Sequence, residues 1–301
     1  MLNNKFTILF LIQFMLGYNI FYHTQDYKIA SSSYVASYDT LKNIYNFSNP
    51  ACNQKNNRFI YSILGNNFNG ILNHQQLFFT LETKFLDELH FALLRTSIDD
   101  INDTESAWND INQDNIVDIS EIDYSKIGTF SHNNLGLIIS KPFYFNQIRF
   151  GINTKLSTSQ LFNESSFTHS FDLGVYKNIK KIGIGIVLKD FFNRSYWSTN
   201  EINKDPYRFL IGTHINIKSI NLSFDYDFYD DEYMVGTSYD YNSLISIQLG
   251  HSVIEKFYLG FLLNFEQFNL GYAFVMPKYQ ELGTSQRIVI GINKDSFLFK
   301  L

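Results

Sequence analysis

The chain has 301 residues, enough for one large β domain or two smaller ones. A formal net charge of −5 leaves no basic surplus for nucleic acid, and a single cysteine, Cys52, excludes an intrachain disulfide and a cysteine-based zinc cluster. Aromatic residues make up 17% against 4 prolines, a balance that suits many strands with broad aromatic faces and excludes a disordered chain.

Taken in order, residues 1–22 read as a secretory signal. Lys5 gives a positive start, and Phe6 to Leu16 is an apolar run shorter than the ~20 residues a spanning helix needs. Cleavage is expected between Gly17 and Ala30, where no clean A-x-A site stands. Residues 23–57 form an N-terminal segment. Tyr34, Tyr38, Leu41, Ile44 and Tyr45 recur at weakly helical spacing, and Asn49-Pro50-Ala51 predicts a turn because a residue before proline avoids the helical region.

From Arg58 onward the side chains alternate with the strand period of two. Fourteen strands are predicted, from Arg58–Leu64 through Leu89–Ser97, Ile127–Ser140 and Lys181–Phe191 to Gln286–Asn293. Ile182, Ile184, Ile186 and Leu188 oppose Gly183, Gly185, Val187 and Lys189. Phe171, Leu173 and Val175 oppose Ser170, Asp172 and Gly174. Such alternation fits a water-soluble sandwich with apolar faces inward or a membrane barrel with apolar faces outward.

Loop parity separates the two. The long connections, Ile98 to Lys126, Phe192 to Pro206 and Met276 to Ser285, are the third, seventh and thirteenth, all on one end, while the even-numbered connections are short. Outer-membrane barrels place short turns and both termini in the periplasm and long loops outside. The expected architecture is a closed antiparallel transmembrane β-barrel of about 14 strands over residues 58–301, with an acidic external loop at 99–126 and a short N-terminal helical and lumenal segment. The expected location is the outer membrane, with its lipid bilayer as the first partner.

Three stretches resemble a known family, the outer-membrane barrels of the PorV/PorQ type, themselves similar to FadL-like fourteen-stranded transport barrels. Asn49-Pro50-Ala51 resembles the family's turn between the lumenal segment and first strand. Asp110 to Ile127 resembles its acidic insertion, and Gly271-Tyr272-Ala273-Phe274 with Leu282 to Ile288 resembles its closing hairpin. The chain departs from the family at Ala30 to Ala36, where a glycine-rich segment is usual, and at Cys52, where glycine is usual. The resemblance implies a non-enzymatic role in handling or attaching secreted proteins, as in type IX secretion, with cargo proteins and secretion components as partners. The alternative is FadL-like transport of hydrophobic small molecules.

The sharpest local motif lies in the acidic loop. Asp110, Asn112, Asp114, the Ile116 carbonyl, Asp118 and Glu121 stand at positions 1, 3, 5, 7, 9 and 12 of an EF-hand-type loop, the oxygen donors a calcium ion needs. Upstream acids without ligand spacing, Asp99, Asp100 and Asp103, make a solvated acidic loop the competing reading. No G-x-S-x-G, phosphate loop or metal-type histidine pair appears, so no catalytic or cofactor-binding residue is predicted. On the lumenal alternates, Arg149, Lys155, Lys189 and Arg208 oppose Asp172, Asp225 and Asp227, which predicts ion pairing across a narrowed lumen.

Overall fold

The computed structural model describes residues 20–23, 45–53, 59–83, 87–104, 106–111, 113–114, 116, 118–252, 255–277, 281 and 283–293. Most of the predicted signal, the helical spacing at residues 34–44 and the chain end after Asn293 lie outside them. The strands are β1 (Phe59–Asn67), β2 (Leu72–Thr83), β3 (Asp87–Asp103), β4 (Gly128–Phe145), β5 (Ile148–Leu161), β6 (Glu164–Ile179), β7 (Ile182–Trp197), β8 (Ile202–Asn203), β9 (Arg208–Ile217), β10 (Ile220–Asp227), β11 (Glu232–Asp240), β12 (Ile245–Ser252), β13 (Glu255–Asn264), β14 (Phe268–Pro277) and β15 (Ser285–Asn293). Each strand pairs antiparallel with its chain neighbour, except that β9 pairs with β7 and the two-residue β8 only folds back on the tip of β7. The last strand closes on the first, Phe59 opposite Asn293 through Asn66 opposite Gln286. The ring is therefore a closed barrel of fourteen strands with no free edge.

The two faces are inverted relative to a water-soluble protein. Ile182, Ile184 and Ile186 of β7, Leu222 and Phe224 of β10, and Ile288 and Ile290 of β15 are exposed on the outer wall. Inside lie buried Asn153, Lys155, Asp172, Asp225, Asp227 and Arg287. Among the described residues more polar and charged side chains are buried than apolar ones. Water would not tolerate that outer wall, whereas lipid does, and the lumenal polar groups find partners in one another. The barrel is of the membrane-spanning kind.

The wall is uneven in height. From β9 to β15 the strands have 8 to 10 residues, but β3 to β7 have 14 to 18. About 9 to 11 tilted residues cross a bilayer, so β3 to β7 rise beyond it at the end carrying the long loops. The predicted strands stop short here: Leu89–Ser97 continues to Asp103 and Lys181–Phe191 to Trp197. The residues added to β5 and β6 lose the apolar alternation, with Gln160 and Ser165 standing on the outward alternates; on β4 the predicted Ile127–Ser140 already reaches this height, through Asn133. At the opposite end β4 runs through Pro142, which the pattern places in a turn. Proline is tolerated because pairing with β3 has ended at Ser140, beyond which the ladder needs no N–H on that side.

Candidate functional site: an occluded lumen

Part of the chain's own N-terminal segment lies inside the barrel. Tyr45 to Asn53 are all buried. Asn46 Oδ1 accepts from the Ser48 and Asn49 amides, and Asn49 Oδ1 accepts from the Ala51 amide at 3.1 Å, capping the short turn Pro50–Cys52. The wall makes room for this turn with a pair of facing glycines, Gly151 of β5 opposite Gly174 of β6. A Cβ on Gly151 would overlap the Pro50 carbonyl and the Ala51 amide, and one on Gly174 would overlap the Asn49 side chain. Gly151 lets backbone touch backbone, and Gly174 leaves room for the Asn49 side chain and the Pro50 ring.

Around the turn the segment is held by both kinds of contact. Phe47, Tyr45, Phe21 and Ile20 join Tyr61, Ile63, Phe78, Leu94, Ile138 and Val289 in one buried apolar cluster. Each such ring contributes roughly 1.5–3 kcal/mol when taken from water. Tyr45 Oη bonds Thr80 Oγ1 at 2.9 Å, Asn53 Nδ2 donates to Ser140 Oγ at 2.8 Å, and Asn153 Nδ2 donates to the Phe47 carbonyl at 2.8 Å. Tyr144, at the rim, donates to the Asn53 carbonyl. Ile20 and Phe21 fall inside the predicted signal, and cleavage early in the Gly17–Ala30 window would keep them in the mature chain.

Directly against this segment lies a charged cluster. Lys155 Nζ of β5 stands 2.6 Å from Asp172 Oδ1 of β6 and 3.0 Å from Asp190 Oδ1 of β7, with all three side chains nearly solvent-free. Asn153 Nδ2 also donates to Asp172, Ser170 donates to Asp190, and Lys155 sits 5.4 Å over the Phe21 ring. Here β7 carries two extra residues against β6, with register breaks between His169, Phe171 and Leu173. Asp190 and Phe192 have φ of +57° and +54°, and the Asp190 amide turns to Asp172 Oδ1 at 2.9 Å instead of the ladder. Such double bulges re-aim side chains and loosen a wall locally. Lys155 and Asp172 confirm the predicted pairing, as does the Arg208 pair with Asp227, which Asp230 extends. Asp190 was invisible to alternation, because parity with Ile186 and Leu188 points it at lipid and only the bulge brings it inward.

On the external side, burial pushes the Asp205 carboxyl above its ordinary range, and the nearby Asp190 charge adds to this. In the acidic loop, Trp108 bridges to Ile122, and buried Glu121 accepts from Trp108 Nε1 at 3.2 Å and from the Ile111 amide at 3.1 Å. Asp114 Oδ1 accepts from the Ile116 amide at 2.7 Å, Asp118 is exposed, and Asn112 lies outside the described residues. Ser125 side-chain and backbone donors hold the Asp123 carboxyl below its ordinary range. Among the described residues no three His, Cys, Asp or Glu side chains converge as metal ligands. Replacing Glu121 by alanine strands two donors at roughly 1–3 kcal/mol, so the loop loosens and Trp108 emission moves to the red while the barrel stays folded. Calcium added to the wild-type protein tests the ligand set in the same signal. A shift that Glu121→Gln abolishes supports calcium, and a flat titration leaves Glu121 as a hydrogen-bonded brace.

No protein family and no curated protein matches the chain. Solved structures do. The Pseudomonas putida toluene transporter TodX is 11% identical over 88% of this chain and 95% of that one, with a TM-score of 0.52. A KdgM porin solved with disordered oligogalacturonate is 9% identical over 78% and 98%, with a TM-score of 0.33. At such identity the TodX likeness speaks to the fold, a membrane barrel of the outer-membrane type.

Proposed function

We propose that the chain is a gated outer-membrane transporter for small hydrophobic molecules, its termini in the periplasm and its tall strands outside. The observation that supports this reading is the lumen, narrowed by an aromatic and aliphatic N-terminal segment whose Phe21 lies under Lys155, the lysine paired with Asp190 of the β7 double bulge. A general diffusion pore needs a water-filled channel, which such a segment obstructs. A hydrophobic solute exchanges contacts with Tyr45, Phe47, Tyr61 and Phe78, and the interrupted ladder at Asp190 gives the wall a weak point. TodX, named as a toluene transporter, is consistent with the same use of the fold. In this reading no bond is broken, and Arg149, over the Tyr144 and Tyr176 rings, braces the turn from below.

The test is uptake of labelled toluene and of a labelled long-chain fatty acid by cells with and without the chain. Uptake is expected to fall on deletion and to return with the wild-type copy. A second reading, handling of secreted proteins as in the PorV/PorQ type, draws on the tall wall of β3 to β7, which offers a surface for a protein. Unchanged uptake together with secreted proteins co-purifying on the barrel decides for that second reading.

A further inference from the structure

On the outer face of the tall wall, above the proposed lipid band, lies a cleft of about 540 Å³ lined by Leu135, Thr158, Gln160, Phe167 and Tyr196, with Asn133 and serines at its rim and Trp197 at its edge, on the lumenal alternate opposite Ser166. Register explains its shape. Leu135 faces Thr158, Thr158 faces Phe167 and Phe167 faces Tyr196, so one outward row runs across four strands with a small residue between bulky walls. Leu135, Phe167 and Tyr196 are 56%, 45% and 39% exposed. One step further from the membrane, Asn133 faces Gln160 and Gln160 faces Ser165, a row of neutral donors and acceptors. No charged side chain lines the cleft.

We propose that this cleft binds the sugar headgroup of an outer-leaflet glycolipid. Aromatic faces stack on the C–H faces of a sugar, and amide and hydroxyl groups match its hydroxyls. The height argues for the membrane as the source: the aromatic row stands where the apolar alternates end, so a headgroup in the cleft leaves its acyl chains against Leu137, Leu156 and Ile139 below, beside the facing His169 and Arg194. The volume suits a small ligand, within the ~300–1,000 Å³ range of such sites. The inference rests on the outer-membrane placement proposed above, not on the transport reading.

The protein carries its own probe, since Trp108 and Trp197 are the chain's 2 tryptophans. In a Trp108→Phe background, Trp197 emission is followed as the barrel is placed in nanodiscs containing lipid A, a glucosamine-disaccharide glycolipid, or only phosphatidylethanolamine and phosphatidylglycerol. A saturable shift with lipid A alone is expected, roughly tenfold weaker in Phe167→Ala or Gln160→Ala. Both variants change outward side chains only, and retained heat-modifiable migration verifies that they fold. Equal signals in all lipids, or equal affinity for the deacylated disaccharide in solution, overturns the proposal. Hydrocarbon uptake in the same variants is expected to be unchanged, so failure here and failure of the transport reading are told apart.

Discussion

Replacing Gly174 by valine is expected to expel the Asn49–Cys52 turn from the lumen while the barrel remains closed. The new Cβ and methyl groups would occupy the place of the Asn49 side chain and crowd Pro50. The wall cannot retreat, because β6 is paired along its length with β5 and, at this level, with β7. The turn must move instead. Overpacking of a fitted contact costs about 1–3 kcal/mol, and loss of the upper value is roughly a hundredfold in the equilibrium between seated and released turn. Gly151→Val acts on the same contact from the other strand, so the two together add little to either alone.

Cys52 reports the outcome without any engineered label. It is buried in the same turn against Ala51 and Tyr176, and it is the chain's one thiol. Modification by a polar maleimide is expected to be slow in the wild-type protein and faster by on the order of a hundredfold in Gly174→Val, following that equilibrium. Planar-bilayer conductance is expected to rise in parallel as water enters the vacated lumen. Wild-type labelling and conductance in both glycine variants would show that the turn is not the occluding element.

The barrel was legible because its physics is periodic. Lipid outside and a crowded lumen inside force the alternation of Ile182, Gly183, Ile184 and Gly185, and closure of β15 on β1 follows from the need to leave no edge. What alternation could not carry was any residue placed by an exception to it. Asp190 faces the lumen through a bulge, and a positive φ leaves no mark on side-chain period. The upper parts of β3 and β7 face water on both sides of the wall, so their outward rows need no apolar residue and read as loop, whereas Ile127–Ser140 reads as strand over the same height of β4. The Asn49-Pro50-Ala51 turn could be predicted from proline chemistry, but its seat could not. Gly151 and Gly174 are 23 positions apart in the sequence and become one site only through the register of β5 and β6.

Lys155→Met is expected to cost the barrel about 3–5 kcal/mol, because Asp172 and Asp190 are then left buried beside each other with their shared cation gone. The pair is held close by the bulge itself, through the Asp190 amide on Asp172 Oδ1, so neither carboxylate can swing to water without breaking the β7 geometry. A surface pair would lose its importance in ~1 M salt, where screening acts over ~3 Å, but this cluster lies out of reach of solvent ions and its loss is expected to matter equally there. Adding Asp172→Asn and Asp190→Asn to Lys155→Met removes both stranded charges. The amides can still accept from Asn153, Ser170 and the 190 backbone, so most of the lost stability is expected to return. Urea unfolding in detergent, followed by the gel mobility of the closed barrel, reads all three proteins. A triple variant less stable than Lys155→Met would mean that the carboxylates are held by something other than the lysine, and the cluster would then lose its place as the clamp joining β5, β6 and β7.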